Sequence, residues 1–163
     1  MHWKRLFRHL LLPDWWVRRL FSPDVLQRLE QAVAASESVH RGELRLVIEG
    51  PLPGPLRDES ARARAIELFS QLRVWDTAEN SGVLIYLQLI DQRVEIVADR
   101  GIDAKLGQAF WDDVCRRMEN AFRAGDFENG TLSALSTISE ALQRHFPAPA
   151  GNANELPDAP LVL

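Results

Sequence analysis

The chain has 163 residues, 46% of them apolar and 26% charged, the profile of one soluble globular domain with a buried core and not of a disordered chain. A net charge of −4 argues against nucleic acid as the main partner. The single cysteine, Cys115, excludes an internal disulfide framework and fits a reducing compartment. No apolar run reaches the roughly 20 residues a membrane-spanning helix needs, so a cytoplasmic protein is expected.

Charge is unevenly placed. Residues 1–20 hold Lys4, Arg5, Arg8, Arg18 and Arg19 against Asp14 alone, a net +4, whereas the remainder holds 14 basic and 22 acidic residues, a net −8. Trp3, Trp15 and Trp16 lie in the same basic segment. Its apolar stretch, Leu10-Leu11-Leu12 before Pro13, is too short for a signal peptide, and no small-residue cleavage site follows. Trp3 to Leu12 is spaced for a short amphipathic helix with Trp3, Phe7, Leu10 and Leu11 on one face. Two readings follow. Trp3, Arg5, Trp15, Trp16, Arg18 and Arg19 contact a partner or an anionic membrane surface, or the tryptophans pack onto the domain and the arginines are solvated. An apolar stretch this short binds lipid weakly, which favours packing.

Ser22-Pro23 opens a second helix, a hydroxyl cap followed by proline at the first helical position, with Val25, Leu26, Leu29 and Val33 as its buried stripe. It frays by Ala35-Ser36. Glu43 to Glu49 alternates and is the first strand. Three prolines between Gly50 and Pro55 make a surface connection. Residues 59–73 return to helical spacing, with Ile66, Phe69 and Leu72 inward and Arg62, Arg64 and Glu67 outward. Val83 to Ile90 is nearly all apolar, as in a central strand covered on both faces. Asp91-Gln92 makes a turn, and Arg93 to Ala98 alternates as a third strand.

Residues 107–123 form a helix along Phe110, Trp111, Val114, Met118, Ala121 and Phe122. The stretch 125–130 breaks it, and 131–145 form the last helix along Leu132, Leu135, Ile138 and Leu142. The chain then divides into a basic, tryptophan-rich segment 1–21, a domain 22–147 and a tail 148–163, whose Pro, Ala, Gly and Asn content reads as disordered. The order α-α-β-α-β-β-α-α predicts a small mixed sheet inside a three-layer α/β/α sandwich.

That topology gathers polar groups at one edge. If the first two strands are parallel, their N-terminal ends share an edge with the C-terminal end of the antiparallel third. Asp76, Glu79 and Asn80 enter the second strand, Asp99 and Asp103 leave the third, and His40, Arg41 and Glu43 precede or open the first. Asp91 falls at the opposite end. Carboxylates and an amide oxygen on irregular backbone suit Ca²⁺, which takes six to eight oxygen ligands, although the spacing matches no fixed motif. The plainer reading is that these groups cap, turn and pair with arginines.

No nucleophile elbow, phosphate-binding glycine loop, Cys-x5-Arg loop or His-Glu-x-x-His is present. Cys115 lies on the inward side of its helix, as an inert thiol would. His2, His9, His40 and His145 lack ligand spacing and are expected at the surface.

One stretch carries a family likeness. Ala65, Leu68 and Phe69 are followed by Trp75, Asn80-Ser81-Gly82-Val83-Leu84-Ile85-Tyr86, then Asp91-Gln92-Arg93-Val94-Glu95-Ile96 and Arg100-Gly101-Ile102-Asp103. Phe122-Arg123-Ala124-Gly125-Asp126-Phe127 and Gly130 complete it. From Arg62 to Pro147 the chain resembles the TPM-domain family, thylakoid acid-phosphatase-like proteins and their bacterial relatives. The resemblance implies an α/β/α sandwich with a polar groove at the sheet edge, where some members bind Ca²⁺ and weak acid-phosphatase activity has been proposed. Asn80, Gly82, Gly101 and Asp103 align with its edge motifs. Where many members carry an acidic residue before the first helix, this chain reads Trp15 to Ser22, basic and aromatic.

Two functions follow. One is an accessory or interaction module, cytoplasmic or peripheral to the inner membrane, that contacts a protein partner such as a membrane complex. The other is a metal-assisted phosphomonoesterase with the ion held by Asp76, Asn80, Asp99 and Asp103. The absent catalytic motifs favour the first.

Overall fold

The computed structural model describes residues 9, 11, 14–52 and 59–163. Nine longer elements and one short strand follow in order: α1 (Asp14–Leu20), α2 (Pro23–Glu37), β1 (Glu43–Glu49), α3 (Ala61–Gln71), β2 (Gly82–Gln88), β3 (Arg93–Ala98), α4 (Arg100–Leu106), α5 (Gln108–Arg123), α6 (Phe127–His145) and β4 (Leu161–Val162). Ser22 caps α2 as its sequence predicts, its hydroxyl accepting from the Val25 amide with Pro23 in the first turn. Ser60 does the same for α3 through the Ala63 amide.

The sheet runs β3-β2-β1-β4. β1 and β2 are parallel, in register from Glu43 opposite Gly82 to Glu49 opposite Gln88. β2 and β3 form the antiparallel hairpin, from Val83 opposite Ala98 to Gln88 opposite Arg93. Alternation then assigns the faces. Leu44, Leu46 and Ile48 join Val83, Ile85 and Leu87 in the larger core, closed by α2, α5 and α6. Val47, Leu84 and Tyr86 point the other way, onto Ala65 and Leu68 of α3 and onto Leu156. The expected α/β/α sandwich is the architecture observed.

Several expectations change. The α3 stripe is rotated from the expected one: Ala65 and Leu68 are buried and Phe69 and Leu72 half-buried, while Ile66 is 51% exposed. The 107–123 helix is preceded by a separate short helix, α4, capped by Asp99. The α1 segment is not peripheral to the domain, because Val17 and Phe21 are buried in the main core. Phe21 and Trp16 each pack edge-on against Phe127, with ring centroids 6.4 Å apart.

The largest correction is the tail. Residues 148–163, expected to be disordered, run beside β1 as an extended strap. Leu161 and Val162 pair in parallel with Val47 and Ile48, and Leu156 is buried. Arg45 donates to the Pro157 and Ala159 carbonyls at 3.0 and 2.6 Å. The tail is ordered because α3 alone leaves the β1 side of that face uncovered, and the strap supplies both apolar contacts and backbone partners there.

Candidate functional site

The open edge is assembled by backbone geometry. The Asp99 amide donates to the Gly82 carbonyl at 2.8 Å, joining the end of β3 to the start of β2. Between α3 and β2 the chain turns through Asn80, whose φ of 52° is the left-handed conformation asparagine tolerates. Two glycines make the close approach possible. A Cβ at Gly82 would lie 1.8 Å from the Val74 carbonyl oxygen, and one at Gly101 would lie 2.6 Å from that of Asn80. The turn and the first turn of α4 are therefore stacked backbone against backbone.

The structure brings the predicted residues to this edge but not to one point. Asp76 pairs with Arg73 at 2.5 Å and Glu79 with Arg41 at 2.8 Å, all at substantially solvated positions. The Arg100 guanidinium donates to the Asn80 amide oxygen at 3.3 Å. Asp99 caps α4 by accepting the Arg100 amide at 2.7 Å, while its Oδ2 is buried without a hydrogen-bond partner. Asp103 is half-buried in the first turn of α4. Among the described residues, no three His, Cys, Asp or Glu side chains group as metal ligands. Beside them Trp75 is 48% exposed, with the Arg73 guanidinium 6.0 Å from its ring centre.

At the N-terminus, Trp3 and Arg5 lie outside the described residues, as does nearly all of the Trp3–Leu12 helix. His9 and Leu11, the described residues of that stretch, are helical. Trp16 packs on the core while Trp15 is exposed, as are Arg18 and Arg19. No helix among the described residues is long and apolar enough to cross a membrane.

The far edge holds a second polar group that sequence reading missed. His9, expected at the surface, is buried. Its Nδ1 accepts the Leu52 amide at 3.0 Å, which leaves Nε2–H to donate to Asp91 at 3.3 Å. Nearby, the buried Glu49 accepts from Arg64 at 2.7 Å and from the Tyr86 hydroxyl at 2.5 Å. Burial and the Glu49 charge push the Tyr86 hydroxyl well above its ordinary value, and Glu49 raises Arg64. Arg64, expected outward, is therefore a structural counter-ion.

A third group was also unread. His40 is fully buried, not at the surface. Its Nδ1 accepts the Gly42 amide at 3.1 Å, so Nε2–H donates to Ser36 at 2.6 Å. Burial lowers its pKa to about 4. Glu43 accepts the Glu155 and Leu156 amides at 3.0 and 3.1 Å, fastening the strap. Glu37 is buried beside it, and burial pushes its carboxyl up to about 9. One signal for these groups was available: β1 carries Glu43, Arg45 and Glu49 on one face of a central strand, which is unusual unless polar partners cover that face.

Cys115 offers no nucleophile. Burial pushes its thiol up to about 12, so it is not a thiolate at neutral pH.

Comparison with known proteins places this architecture. No curated protein matches the chain. Among solved structures it is similar to the BA42 protein from the psychrophilic bacterium Bizionia argentinensis, with 25% identity and a TM-score of 0.75 over 87% of this chain and 94% of that one. It also shares its fold with the N-terminal domain of a protein from P. gingivalis, at 23% identity and a TM-score of 0.65, covering 78% and 79% of the two chains. The profile of the TPM domain matches residues 18–141. That span runs from α1 through most of α6 and includes both glycine contacts of the open edge, so the chain belongs to the TPM-domain family.

Proposed function

We propose that this TPM domain is a non-catalytic or weakly catalytic accessory module that docks a protein partner at its open sheet edge, in the cytoplasm or at the inner membrane face. The observation that carries this reading is Trp75, a large aromatic that is 48% exposed, with the Arg73–Asp76 ion pair beside it. Tryptophan and arginine dominate binding hot spots because they bury large areas and form directional contacts. Solvated ion pairs around them contribute only about 0–1 kcal/mol each, so they re-pair at low cost when a partner arrives.

A photo-crosslinking residue at position 75, in cells, should capture a discrete partner, and one at the exposed Glu140 on α6 should not. Equal capture at both positions would remove the open edge as the docking face. Membrane attachment is tested by Arg18→Glu with Arg19→Glu, because truncation at Ser22 would delete the core residues Val17 and Phe21. Unchanged sedimentation with anionic vesicles eliminates a membrane role for these arginines.

The second reading, a metal-dependent phosphomonoesterase, is supported by the Asp99 Oδ2, buried without a hydrogen-bond partner at the cap of the helix whose first turn carries Asp103. It requires turnover of a generic phosphomonoester with added Ca²⁺ or Mg²⁺, and loss of that turnover in Asp103→Ala. Wild-type activity at the level of the variant sinks it.

A further inference from the structure

The strap is held by its backbone far more than by its side chains. Glu43 accepts the Glu155 and Leu156 amides, and Arg45 donates to the Pro157 and Ala159 carbonyls. The Leu163 amide donates to the Ile48 carbonyl at 2.9 Å, and its own carbonyl accepts the Gly50 amide at 3.1 Å. Leu156 is the one buried side chain in residues 148–163. β1 therefore recognises an extended segment with a single apolar anchor, whichever copy of the chain supplies it.

The connection that brings the strap there is short and bent. Just before it, the Arg41 amide donates to the Phe146 carbonyl at 2.9 Å and the Ala148 amide to that of Val39 at 3.2 Å, with His40 and Pro147 bridged antiparallel. Just after it, Asn152 Nδ2 donates to the Glu37 and His40 carbonyls at 3.3 and 3.1 Å, and the chain then runs parallel to β1. Only Pro149, Ala150 and Gly151 lie between, and they make the change of direction. Gly151 has a φ of 79°, the left-handed conformation that L side chains rarely adopt. A Cβ there would meet nothing within 4 Å, so this glycine answers to backbone conformation and not to space. A short hinge held in a turn invites exchange of the segment it carries.

We propose that two copies of this chain exchange straps reciprocally, each laying residues 152–163 along β1 of the other. Every strap contact given up within one copy is remade with the second, so the exchange is balanced except for the hinge and the cost of association. Straightening the hinge releases Gly151 from its turn and works in favour of the pair. Each copy then completes the core of its partner with Leu156, which packs with Val47, Leu84 and Tyr86. Nothing in this inference depends on docking at Trp75.

The test incubates the full chain in mild urea at concentrations approaching roughly millimolar, the effective concentration that a short tether confers, and returns it to buffer. Light scattering after size exclusion should then show a dimer beside the monomer. Gly151→Val should tighten that dimer roughly a hundredfold, because a left-handed L residue costs roughly tenfold at each of the two hinges of the closed copies. A Gly-Ser-Gly-Ser insertion after Ala150 should abolish it, since a long hinge lets each strap stay on its own β1 without strain. Wild-type dimer made from mixed ¹³C-labelled and unlabelled chains should give isotope-filtered NOEs between Leu156 of one chain and Val47 or Leu84 of the other, a readout that needs no variant to fold. A dimer without those NOEs, or one that persists with the lengthened hinge, overturns exchange in favour of association through another face. A wild type that stays monomeric throughout overturns it as well.

Discussion

Glu37 closes α2 and His40 lies three residues beyond it, and burial moves their pKa values in opposite directions. Each is held in its neutral form, the imidazole down to about 4 and the carboxyl up to about 9. For His40 the folded pKa is below its ordinary 6.5, so the unfolded chain takes up a proton first as pH falls. Its contribution to stability is intact above pH 6.5 and lost progressively toward pH 4, on the order of 3 kcal/mol in all. Urea denaturation at pH 7 and pH 4.5 should show a smaller difference in His40→Asn than in the wild type, and an NMR midpoint near 6.5 for His40 would refute the assignment. Glu37 has the opposite sign. Stability falls as pH rises from 4.5 toward 9, because the unfolded carboxyl ionises before the folded one. The same denaturation series in Glu37→Gln should lack that decline, and an unchanged slope would refute the raised carboxyl. At the far edge, Arg64→Ala leaves the Glu49 carboxylate buried without its counter-ion, a loss of about 3 kcal/mol in urea denaturation. These residues were illegible in the sequence for a common reason. His9 and His40 are satisfied by the amides of Leu52 and Gly42 together with Asp91 and Ser36, and backbone partners leave no spacing pattern to read.

Among the elements, the hairpin β2–β3 was the most legible, because an apolar run, a turn and an alternating strand each have a distinct period. Its parallel pairing with β1 followed from the helix between them. Helix α3 was placed correctly, but its buried face was set by Ala65 as well as Leu68, and a small residue at a close contact carries little hydropathy signal. Helix α4 was missed because Gly101 reads as a breaker. In the structure that glycine is there for the approach of the Asn80 carbonyl. Gly101→Ala should therefore cost about 2–3 kcal/mol in chemical denaturation through forced backbone displacement, although alanine is ordinarily the better helix former. A stabilised variant would show that the 2.6 Å approach relaxes freely.

Across the whole molecule, the second layer of the sandwich is shared between one helix and the strap. Composition alone made 148–163 look disordered, since proline, glycine and asparagine suit an extended strap as well as a coil. The contrary signal lay in β1, whose Glu43 and Arg45 call for polar partners and find backbone ones in the strap. Removing residues 148–163 should expose Val47, Leu84 and the β1 edge, giving a chain that aggregates or unfolds. Size-exclusion chromatography of the truncated and full chains checks this. A monomer of unchanged Tm would mean that the strap contributes nothing to the fold.

The strap also sets when folding can finish. Glu43 bonds amides 112 residues further along the chain, so during synthesis β1 emerges long before the segment that covers it. At translation speeds of about 5–20 residues per second, that edge stays open for several seconds or more. In that interval it is a bare template for any extended peptide, and the nascent chain is most exposed to chaperones and to neighbouring copies of itself. A ribosome stalled before residue 155 would hold a sheet with an unguarded border, and release of the strap is the step that closes it.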